Sequence, residues 1–73
     1  MSLSNTVLQP HELALVQRVF KEIVSQPWFN RAGDNERNFA AFVVRAFQHG
    51  IMAEEALSAH CGQAAKERYA LSG

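Results

Sequence analysis

Residues 35–50 read NERNFAAFVVRAFQHG. Set at about 100° per residue, Phe39, Phe42, Val43, Ala46 and Phe47 fall within an arc of about 140°. That is one face of a helix, and three phenylalanines make it a core face. Gly50 stands where a left-handed C-terminal cap belongs. His49 occupies the last turn, where positive charge is favoured. The segment is predicted as a helix over about 35–49, and the rest of the chain is read outward from it.

Upstream, Gly33-Asp34-Asn35 combines turn chemistry with residues that can accept from the first free N–H groups of a helix. Before it lies a connection containing Pro27, Trp28, Phe29 and Arg31. Trp28 and Phe29 are too large to be idle in a loop. They are read as a lid on one end of the core, with exposure as a partner's anchor as the alternative.

A further helix is predicted over about 10–26. Pro10 suits the first helical position, which makes Gln9 the cap. Glu12 can turn back on the cap N–H as half of a capping box, and Leu8 and Leu13 have the spacing of a hydrophobic staple. Gln9 is a weak cap. Pro27 disfavours helical geometry in the residue before it. Leu13, Val16, Phe20, Ile23 and Val24 form the expected apolar stripe. Leu15 and Val19 lie beside it and widen the apolar arc beyond what one packing partner needs. Two readings follow: this helix is sandwiched between the other two, or the Leu15/Val19 edge is a self-association surface.

Downstream, a third helix is expected over about 53–70. Glu54 and Glu55 fall in its first turn and Lys66 and Arg68 in its last, the order the helix dipole prefers. With Met52 as cap, Glu55 would form a second half capping box. Leu57, Cys61, Ala64 and Leu71 share a face with Arg68, and His60 lies at its edge. The stripe is rich in small residues, which permits close approach. Arg68 must carry its head to solvent or find a carboxylate.

The fold is therefore expected to be all-α, a small three-helix bundle. Residues 1–9 are read as a loose tail and 10–73 as one helical domain. A chain of 73 residues is one domain at most, and about 60–65% of its unfolded surface is buried at this size. Cys61 is the only cysteine, so no disulfide supplements the core. With no signal-peptide pattern, this points to a reducing, cytoplasmic location. No segment approaches the roughly 20 apolar residues of a membrane span.

Seven basic and seven acidic residues leave no strongly basic footprint for nucleic acid. His60 and Cys61 are adjacent, but helical neighbours point about 100° apart and do not pair. A catalytic thiol also needs a base and an orienting group, so Cys61 is read as a small buried residue. His11, His49, His60 and Cys61 show no metal-ligand spacing. Asp34, Asn35 and Glu36 lack the ligand pattern of a calcium loop. No cofactor or metal is expected.

The functional expectation is a helical protein-interaction or regulatory module, self-associating as a homodimer, without catalytic activity. Leu15, Val19, Trp28 and Phe29 are its candidate contact residues. One alternative is a helix-turn-helix DNA-binding regulator using the second and third helices. Glu54 and Glu55 at the start of the reading helix oppose it. Another is a small enzyme using Cys61.

Overall fold

Helix α1 spans Pro10–Val24, α2 Asn35–Gln48 and α3 Glu54–Arg68 in the computed structural model, which describes residues 8–71. Every pair of helices is in contact, so the architecture is an all-α three-helix bundle. No helix among the described residues is long and apolar enough to cross a membrane.

The start of α1 follows the expected chemistry. Pro10 takes the first position, and the Gln9 N–H donates to Glu12 Oε1 at 2.8 Å. Leu8 is packed against the core, so ordered packing begins inside the segment read as a tail. Residues 1–7 of that segment lie outside the described residues. The helix ends at Val24, two residues earlier than expected. Ser25 Oγ and Gln26 Nε2 both donate to the Glu22 carbonyl, at 3.1 and 3.2 Å. Arg31 Nε and Nη2 then close on the Val24 carbonyl at 3.0 and 2.7 Å. A charged fork on a terminal carbonyl satisfies an acceptor that the helix itself leaves open.

The end of α2 is a Schellman motif. The Ile51 N–H donates to the Ala46 carbonyl at 3.2 Å and the Gly50 N–H to the Phe47 carbonyl at 3.1 Å. Gly50 has φ 113°, a conformation that glycine adopts without a Cβ penalty.

At α3 the boundaries move. The cap is Ala53, not Met52, so Glu54 and Glu55 are the first two helical residues. The helix stops at Arg68, short of the expected 70, because the next residues make a different set of bonds. The Asn30 N–H donates to the Tyr69 carbonyl and the Leu71 N–H to the Trp28 carbonyl, both at 2.7 Å. These two bonds form an antiparallel bridge between Phe29 and Ala70. The first loop and the C-terminal segment are thereby clipped together.

The core takes Val16, Val19, Ile23 and Val24 from α1, Phe39, Val43, Ala46 and Phe47 from α2, and Leu57, Cys61 and Ala65 from α3, with Phe29 from the loop. The buried face of α1 is rotated from the expected one. Val19 is fully buried, while Leu13 is 44% exposed. Contact with both other helices centres the buried face between them, where Val19 stands. On α3 the inward residue is Ala65 rather than Ala64, and Leu71, beyond the helix, is 56% exposed. Among the described residues no polar or charged side chain is buried. The core is therefore held by apolar packing, worth about 1.5–3 kcal/mol for each large side chain fully buried.

Candidate functional site

The rings gather around Phe39, which is fully buried. Its centroid lies 5.4 Å from Phe29, 6.0 Å from Phe20 and Tyr69, and 6.4 Å from Phe42. These separations fall in the favourable range for aromatic pairs. Phe29 is 4% exposed and completes a triangle of rings with Phe39 and Tyr69, 5.8 Å from the latter. Trp28, half-buried, stands 6.1 Å from Phe29, and Lys66 Nζ is 5.7 Å from its ring centroid.

Two of the four residues read from the sequence as contact surface must be reassigned. Val19 and Phe29 are interior to the chain's own core, Val19 through the rotation of α1 and Phe29 through the bridge to Ala70. Leu15 and Trp28 are half-buried and sit apart. Leu15 lines a groove with His11, Glu12, Arg18, Phe47 and Met52, whereas Trp28 adjoins Phe29 and Lys66. The four do not make one surface.

Two other clefts are lined mainly by apolar or aromatic side chains. Between α1 and α2, Leu13, Val16, Gln17, Phe20, Ala40 and Val44 line a groove of about 280 Å³. Gln17 is its one polar side chain. Leu13 and Phe20 were placed in the core stripe by their spacing, and they turn out to be its outer edge. Ala40 and Val44 stand one turn apart beside the Phe39/Val43 row, a pattern visible in the sequence but overshadowed by the phenylalanines.

Between α2 and α3, Phe42, Arg45, Ala46, His49, Ile51 and His60 line a cleft of about 200 Å³. His60 stacks on Phe42 at 5.6 Å with 15° between planes. Arg68 is exposed, as expected, and carries its guanidinium over the Phe42 ring, 5.5 Å from the centroid. A cation over a ring at an exposed site is worth about 0.5–1 kcal/mol.

Cys61 is fully buried, and burial pushes its thiol up from the ordinary 9.0 to about 11. At neutral pH it is a neutral thiol shielded from solvent, the opposite of an activated nucleophile. No group of three or more metal-ligating side chains forms among the described residues. Glu54, at the start of α3, receives Arg18 Nε at 3.0 Å. Glu55 beside it is exposed. A helix entering a DNA groove by that end would bring two carboxylates towards phosphate. No family model, curated protein or solved structure matches this chain.

Proposed function

We propose that this chain is a small helical interaction module that self-associates through the groove between α1 and α2. The observation that carries the reading is the apolar lining of that groove. Leu13 is 44% exposed, Phe20 and Val44 are half-buried, and no charged side chain lines the floor. A second copy can meet such a surface without bringing like charges together. Association also adds apolar burial that so short a chain lacks. The free, buried Cys61 supports a reducing compartment such as the cytoplasm.

Sedimentation of the full chain at micromolar concentration tests this reading. The expected result is a species heavier than a monomer, with Leu13→Glu returning it to monomer while the helical circular dichroism is unchanged. Thermal unfolding of the parent should depend on protein concentration, as it does for any associating native state, and that of Leu13→Glu should not. A parent chain that sediments as a clean monomer overturns the reading.

A further inference from the structure

We propose that the cleft between α2 and α3 docks an acidic peptide segment that inserts one apolar anchor residue. The surface is separate from the self-association groove, and the inference stands or falls independently of it.

Charge complementarity carries the argument. The floor is Phe42, Ala46 and Ile51, and the rim is Arg45, His49 and His60. All three rim side chains are exposed, and no carboxylate lines the cleft. The two ion pairs of the described residues, Arg18 with Glu54 and Arg31 with Glu36, involve none of the cleft's lining residues. Arg45 has no ion-pair partner among the described residues. Arg68, held over Phe42, adds a further cation. In a chain of zero net charge, this cleft is therefore locally basic and open. Such a rim steers acidic partners and excludes basic ones.

Size and shape narrow the partner further. A volume of about 200 Å³ falls below the roughly 300–1,000 Å³ of drug-sized ligand sites. It suits one side chain with flanking contacts made at the rim. Nucleic acid fits less well. Single strands bind by stacking bases on free aromatic faces, and the Phe42 ring already has His60 stacked on it and Arg68 above it. A partner with Asp or Glu flanking one Leu, Ile, Met or Phe matches both rim and floor.

Selection of random dodecapeptides displayed on phage against the full chain tests the proposal. Enrichment of Asp and Glu next to a single large apolar residue is expected. A selected peptide, made synthetically, should shift the amide resonances of Arg45, Ala46, His49 and His60. Its affinity should fall with added salt and drop by about tenfold in Arg45→Glu, the loss expected from reversing one rim charge. His60→Glu should weaken it likewise, with circular dichroism reporting the fold of both variants. The proposal is overturned by any of four outcomes: no acidic enrichment, shifts centred on Leu13 and Val44 instead, unchanged affinity in both variants, or tighter binding of a mixed-sequence oligonucleotide at the same resonances.

Discussion

Helices α2 and α3 are nearly equal in length, at 14 and 15 residues, but they enter the core by different means. Helix α2 buries large side chains, with Phe39 and Val43 fully enclosed and Phe47 nearly so. Its apolar face is wide and regular. Helix α3 buries Leu57, Cys61 and Ala65, only one of which is large. Ala, Glu, Gln, Lys and Arg make up most of its sequence, residues that favour a helix before any packing is considered. Helix α2 is thus held by what it buries. Helix α3 is helical by propensity and fits because its inner face is small. One bundle can combine the two because a thin helix face leaves room for thick rings opposite.

The widest test of this contrast is to remove the largest contribution from α2. Phe39 sits among four other rings and has no exposed surface. Phe39→Ala should destabilise the fold by about 3–5 kcal/mol through lost burial and the cavity left behind. A domain of this length has a total stability on the order of 4–10 kcal/mol, so the variant should be largely unfolded by mild urea. A loss under about 1 kcal/mol in chemical denaturation would mean that the rings collapse to fill the gap, and α2 would then not be the thick half of the core.

How tightly α3 closes is tested by Cys61. The unfolded thiol ionises near its ordinary 9.0 and the folded one near 11. Below pH 9 both states keep the proton and the contribution is complete. Between about 9 and 11 only the unfolded chain releases it, so stability falls as pH rises. By about pH 11 the loss reaches about 2–3 kcal/mol. Cys61→Ala supplies the reference, since it lacks the thiol and shares every other titration. A parent and variant whose stabilities fall in parallel from pH 8 to 11 would show that solvent reaches the thiol, and that the small-residue face is loosely packed.

The same contrast decides what could be read from residues alone. Helix α2 was legible because large apolar residues at helical spacing leave an unambiguous record, and Gly50 marks its end by backbone geometry. The burial of Cys61 was legible too, from the absence of a partner base. The face of α1 was not. Its apolar arc is wide enough for two partners, and the centre of a wide arc is set by where those partners stand. Hence Val19 proved interior and Leu13 outward. The bridge between Phe29 and Ala70 was invisible for another reason. It is made of main-chain groups, and it joins single residues 41 positions apart, one in the first loop and one after α3. Its formation is what turns Phe29 from a candidate contact into core. The basic cleft was hidden similarly, since His49 and His60 share no helix and acquire meaning only when α2 and α3 are placed side by side.

The finest difference between the helices lies at Gly62. It interrupts α3 at mid-length, where glycine weakens a helix by about 0.8–1 kcal/mol relative to alanine. Close packing of helices often requires such a glycine, because a Cβ would collide. Here it would not. A methyl group at Gly62 would meet Ile23 Cδ1 at 4.0 Å, with nothing nearer, which is ordinary contact distance. The residue is in α-helical backbone and not at positive φ. Gly62→Ala should therefore stabilise the fold by about 1 kcal/mol, the propensity gain being joined by a small gain in packing against α1. Thermal denaturation at fixed concentration reads this as a rise of several degrees in the midpoint. A fall instead would place α3 closer to α1 than the 4.0 Å gap allows. The smallness of its inner face would then be a steric requirement at every position, not only at Cys61 and Ala65.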